Sequence, residues 1–279
     1  MAPGVTAALS FSIVDILLKV VYASGMDVLS LVALRAVLVV VFFWLWLRLA
    51  PPRIWHSPRQ RWIALGLGIL FTGTNFGLLQ AIALLPVSIA ILAYFIYPLL
   101  TGIGGAITGL DQLGWRALLA ALAAFGGLAL MLGADFSELS LAGLCFAFAA
   151  AFFRVLSLLG TRAWLHGTDA RVTTWYSMVP SAAIYLSAAL MVGDWHLPQT
   201  SAGWWAFVGI TIGSTLSTLL IYVSANRVGP FRTAFVMNLE PLMAAILSMW
   251  LLGEVLSSVQ MLGAGIMIVS LCAFQFVRR

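Results

Sequence analysis

The sequence is poor in charge: Asp, Glu, Lys and Arg make up 8% of its 279 residues, whereas 63% are hydrophobic. That is roughly a third of the charge an ordinary soluble domain carries, too little to coat a surface in water. Cysteine is equally scarce. Cys145 and Cys272 each lie inside an apolar run with no second cysteine nearby, which excludes a disulfide framework or a cysteine metal cluster. Only three histidines occur, His56, His166 and His196, far apart and in expected loops. No H-E-x-x-H, G-x-S-x-G or P-loop pattern accompanies them, so no catalytic constellation emerges and no metal or cofactor is expected. The net charge of +5 comes from basic residues scattered singly between apolar runs. They read as topology signals, and nucleic acid is not an expected partner.

What the sequence has instead is apolar length. Runs of roughly 20 residues, enough to cross about 30 Å of hydrocarbon, recur along the whole chain, and the mean hydropathy is +1.08. The runs are too long and too uniformly apolar for barrel strands, so an all-α integral membrane protein is expected. Gly, Pro and charge as punctuation place ten helices at about 4–23, 27–49, 61–84, 87–107, 114–133, 140–162, 171–192, 203–226, 230–252 and 257–277. The even-numbered connections and the C-terminus hold Arg48, Arg53, Arg59, Arg61, Arg116, Arg162, Arg171, Arg227, Arg232, Arg278 and Arg279, and the odd-numbered loops hold no Lys or Arg. The positive-inside rule then puts both termini in the cytoplasm. The odd loops carry Asp27, Asp135, Glu138, Asp194 and Glu254, and the first apolar run reads as a span, not as a cleaved signal peptide.

The chain repeats itself. Pro86 pairs with Pro230, Pro98 with Pro241, and Asp111 (in T-G-L-D) with Glu254 (in L-G-E), at almost constant spacing. Upstream, Phe11 and Lys19 pair with Phe146 and Arg154 at a shorter offset, the difference being assigned to a longer connection between spans six and seven. Five spans per half is an odd number, so the halves 1–134 and 135–279 enter the membrane with opposite orientations. Such inverted repeats are characteristic of secondary transporters. The string N-L-E-P-L-M-A-A-I-L-S-M-W-L-L-G-E at 238–254, then Gln260 and Gly263, with Arg35 in V-A-L-R, resembles the EamA-type repeat of the drug/metabolite transporter superfamily. The first half departs from it with Asp111 instead of Glu and Tyr97 before its proline. The resemblance implies ten spans, a central cavity and, in bacteria, export of amino acids and related metabolites across the inner membrane.

Candidate site residues follow from polar and helix-breaking positions inside the spans. Pro98 and Pro241 fall near the middle of spans four and nine, where each frees a carbonyl, on Tyr94 and Met237, and makes a hinge. Symmetric breaks point to a transporter's binding site, against a plain packing kink. Glu240 lies deep in span nine; an acid there either serves transport or is a neutral structural acid. Ser214, Thr218 and Tyr222 draw a polar stripe down span eight, with Thr211 one turn earlier, and Thr74 and Asn75 form a shorter counterpart on span three. Tyr94 and Tyr97 are expected to supply aromatic walls, and Asn238 to orient a polar end of the substrate. Asp15, Lys19 and Arg35 read as a structural ion-pair group in preference to substrate ligands. Trp62, Trp204 and Trp205 read as interfacial anchors. Gly126, Gly127, Gly263 and Gly265 permit close helix contact, internal or at a dimer seam, which leaves a monomer or a weak homodimer.

These features lead to a secondary transporter exporting a small molecule, most simply a neutral or aromatic amino acid, by alternating access through a cavity between spans three, four, eight and nine. A multidrug exporter of the same fold is the alternative, and a channel or membrane enzyme the alternatives of other classes. Phosphates are disfavoured because those four spans carry no midplane cation.

Overall fold

The computed structural model describes residues 2–52, 55–133, 139–252 and 255–275. It is helical throughout: α1 (Ala2–Ala23), α2 (Val28–Leu49), α3 (Pro58–Leu84), α4 (Val87–Tyr94), α5 (Tyr97–Ile107), α6 (Trp115–Leu132), α7 (Leu141–Trp164), α8 (Ala170–Val192), α9 (Ser201–Val228), α10 (Pro230–Val236), α11 (Leu239–Leu252) and α12 (Ser258–Gln275). With α4–α5 and α10–α11 each counted as one broken span, nine are long and apolar enough to cross a membrane; the shorter apolar Ser258–Phe274 makes ten among the described residues. Arg53, Asp135, Glu138, Glu254, Arg278 and Arg279, used above for topology and register, lie outside the described residues.

Helix starts are set by short polar side chains that accept otherwise unpaired amides. Asp27 accepts from Leu29 and Ser30 at the head of α2, and Ser57 forms a capping box with Gln60 at α3. Ser257 and Gln260 repeat that box before α12.

The two prolines do not kink continuous helices. Each sits in the first turn of a second half-helix, where a missing N–H costs no hydrogen bond. The breaks fall at Phe95–Ile96 and at Met237–Asn238. The Met237 carbonyl, expected to be free, accepts the Glu240 amide at 3.0 Å.

Packing follows the repeat. α1 packs on α9 as α3 packs on α7, α6 pairs with α12, and α2 pairs with α8. Where α6 crosses α12, a Cβ on Gly263 would sit 2.5 Å from the Gly127 carbonyl oxygen, so these glycines form an internal seam. Gly126 and Gly265 have no neighbour within 4 Å. One register is corrected. The connections 24–27 and 165–169 barely differ in length, so the supposed longer connection does not exist. Lys19 stands one turn from the end of α1, but Arg154 stands more than two turns from the end of α7. Arg154 is therefore deeper in the membrane than its assumed partner.

Candidate functional site

A cavity of about 150 Å³ lies where the two breaks meet the long helices. Its polar wall comprises Arg35 from α2, Thr74 and Asn75 from α3, Tyr94 from α4, Arg154 from α7, Ser181 and Tyr185 from α8, Ser214, Thr215 and Thr218 from α9, and Glu240 from α11. Val39, Phe71 and Met178 line it too. They belong to an apolar cluster with Phe43, Trp175 and Leu219.

The small polar side chains are oriented by their own helices. Thr74 Oγ1 donates to the Leu70 carbonyl at 2.9 Å, Ser214 Oγ to Ile210 at 2.6 Å, and Thr218 Oγ1 to Ser214 at 2.8 Å. The Asn75 amide donates to Phe71 at 3.0 Å. With each hydroxyl proton committed to a backbone carbonyl, the oxygen retains acceptor capacity. This part of the wall suits a donor such as an ammonium group.

The two arginines come from helices that the sequence reading left out of the cavity, and Glu240 from span nine, which it included. Arg154 interacts electrostatically with Glu240 and with Tyr94, Tyr97 and Tyr222. Its guanidinium carbon lies 5.9 Å from the Tyr97 ring centroid, a cation–π contact. Glu240 also feels the charge of Asp15, on α1, which packs against α11. Arg35 has Tyr185 and Tyr22 as its electrostatic neighbours.

Six of the nine expected binding residues thus reach the cavity wall: Thr74, Asn75, Tyr94, Ser214, Thr218 and Glu240. Three do not line it. Tyr97 is buried behind Tyr94, with the ring centroids 5.2 Å apart. Tyr222 packs with Ala64, Leu67 and Leu165. Asn238 is buried in the break, its amide donating to the Phe235 carbonyl at 2.8 Å. Among the described residues Asp15 and Arg35 make no ion pair: the electrostatic neighbours of Arg35 are Tyr185 and Tyr22, and Asp15 acts on Glu240. Lys19 lies on an exposed face one turn beyond Asp15. Arg154 is the residue that sequence reasoning missed. The available signal was a lone arginine in the middle of the apolar run 141–164, hidden by the alignment with Lys19. The absence of a midplane cation on spans three, four, eight and nine holds, but α2 and α7 bring two to the same cavity.

Inverted five-helix repeats, broken at equivalent places around a polar chamber, define a membrane transporter. The EamA-like transporter family matches the chain twice, over residues 3–133 and 141–274, and the chain belongs to that family, within the drug/metabolite transporter superfamily. It is accordingly a transporter and not an enzyme. The chain is 29% identical to the threonine/homoserine exporter RhtA of Escherichia coli K12 over 266 residues, 92% of this chain and 83% of the relative. Identity to the protein of the same name from Salmonella typhimurium SL1344 is also 29%, over 90% and 81% of the two lengths. A solved crystal structure superposes with a TM-score of 0.82 at 17% identity, covering 99% of this chain and 97% of its own, a likeness of fold.

Proposed function

We propose that the chain exports small neutral amino acids from the bacterial cytoplasm across the inner membrane by alternating access. The observation that carries this reading is one small cavity whose wall holds both signs of charge, from Arg35, Arg154 and Glu240, together with a set of acceptor oxygens. A zwitterion presents both signs within one compact molecule. Size favours the compact end of the expected range: about 150 Å³ is well short of the roughly 300–1,000 Å³ of a drug-sized site. The named function of the relatives agrees with this choice. The family matches at 3–133 and 141–274 support repeat units of 1–134 and 135–279. Pro98 and Pro241 then act as hinges beside the cavity, and the basic connections face the cytoplasm.

Purified protein in liposomes, offered labelled threonine, homoserine and phenylalanine with and without a pH gradient, tests the reading. Saturable movement of the two small substrates, with phenylalanine slower, is the expected result. Movement of an organic phosphate or a lipophilic cation, and of no amino acid, would overturn it. Reporter fusions near Arg59 and Asp194 test orientation, and finding both on one side of the membrane contradicts it.

A further inference from the structure

We infer that Arg35 is the anchor for the substrate's carboxylate, so that the site selects compact molecules bearing a free carboxyl group; this rests on the amino-acid reading above. The cavity wall carries two arginines and one carboxylate. Arg154 has a carboxylate, that of Glu240, among its electrostatic neighbours, together with Tyr94, Tyr97 and Tyr222, although its buried Nε has no hydrogen-bond partner among the described residues. Neither arginine makes an ion pair with a carboxylate among the described residues, but the electrostatic neighbours of Arg35 are the tyrosines Tyr185 and Tyr22, with no carboxylate among them. A cation inside a membrane protein is expensive unless it faces a partner or a cavity, and Arg35 faces the cavity. Its planar, always-charged fork matches a carboxylate with two parallel hydrogen bonds.

The rest of the wall has the complementary preference. Thr74, Ser214 and Thr218 have committed their protons to helix carbonyls and offer oxygens. A carboxylate gains nothing from that surface, but an ammonium does. The substrate is therefore held with a direction: carboxylate on α2, amine toward the acceptors of α3 and α9.

The test uses wild-type protein in liposomes transporting labelled threonine, with unlabelled threonine and threoninamide, which lacks the carboxylate, as competitors. Threoninamide should compete at least about 30-fold more weakly, as losing one partner of a buried charge pair predicts. Arg35→Gln should weaken threonine and erase the preference for acid over amide. Arg35→Lys should keep part of the preference, and it supplies the measurement if the glutamine variant fails to fold. Arg154→Gln should lower the rate while retaining the preference. Equal competition by acid and amide in the wild type, or loss of the preference in Arg154→Gln with its retention in Arg35→Gln, overturns the assignment and leaves amino-acid export standing. Failure of the wild type to move any amino acid overturns the functional reading and the anchor with it.

Discussion

The carboxylate of Asp111, in the connection between α5 and α6, accepts the backbone amide of Phe231 in α10 at 3.2 Å. This bond ties the first repeat to the start of the broken span of the second. Gly229 allows it: its φ of +98° is a glycine conformation, and a Cβ there would meet Asp111 Oδ2 at 2.6 Å. Asp111 caps an otherwise unpaired amide, so Asp111→Ala should cost about 1 kcal/mol and Asp111→Asn less. Thermal melting in detergent measures both, and an alanine variant as stable as wild type would contradict the tie.

Gly68 on α3 meets α8 at its closest approach. A Cβ at Gly68 would lie 2.0 Å from the Ser177 carbonyl oxygen and 2.5 Å from the Pro180 ring. One obstacle is backbone and the other a rigid ring, so neither can swing aside. Ser181 donates to the Gly68 carbonyl and bonds Thr72 across the same seam. Gly68→Ala is expected to destabilise the protein by about 1–3 kcal/mol, whereas Gly66→Ala, with no neighbour within 4 Å, should be neutral. Equal melting temperatures for the two variants would contradict this packing.

The spans were legible because lipid leaves only one solution for long apolar runs, and the helix breaks were legible because Pro98 and Pro241 recur at equivalent places in the two repeats, whereas Pro180 stands inside α8 without ending it. Depth was harder to read. A residue's height depends on where its own helix starts, and pairing Arg154 with Lys19 placed it too near the surface. Direction was harder still. Tyr222 follows Thr218 by one turn and was expected on the same stripe, yet α9 turns it toward Ala64 and Leu67. Asn238 was assigned to a ligand, but a helix break needs its own polar groups satisfied, and Asn238 serves that local need.

His56, in the connection before α3, is buried at 2% exposure, with Nε2 2.9 Å from Thr173 Oγ1. Burial lowers its pKa below the ordinary 6.5; Asp169 opposes that shift and Arg61 adds to it. The folded protein thus binds this proton less readily than the unfolded chain. The resulting stability is present above pH 6.5 and is lost as pH falls through the unfolded value toward the folded one. The wild type should lose more melting temperature than His56→Gln between buffers above and below pH 6.5. A parallel decline in both would remove His56 as the cause.

Glu240 and Arg154 line the same cavity, and Glu240 has Asp15 and Arg154 as its electrostatic neighbours, of like and opposite sign. Removing one member of a buried pair leaves the other charge unanswered, at about 3–5 kcal/mol, whereas removing both can be nearly neutral. The third charge makes the two single losses unequal. Arg154→Gln leaves two neighbouring carboxylates without their cation, while Glu240→Gln leaves Arg154 in the company of three tyrosines and relieves Asp15. Melting in detergent should therefore rank the variants with Arg154→Gln least stable, Glu240→Gln intermediate and the double variant closest to wild type. Additive losses in the double variant would show that the two groups are held independently, and the arrangement of charge in the cavity would need a different explanation.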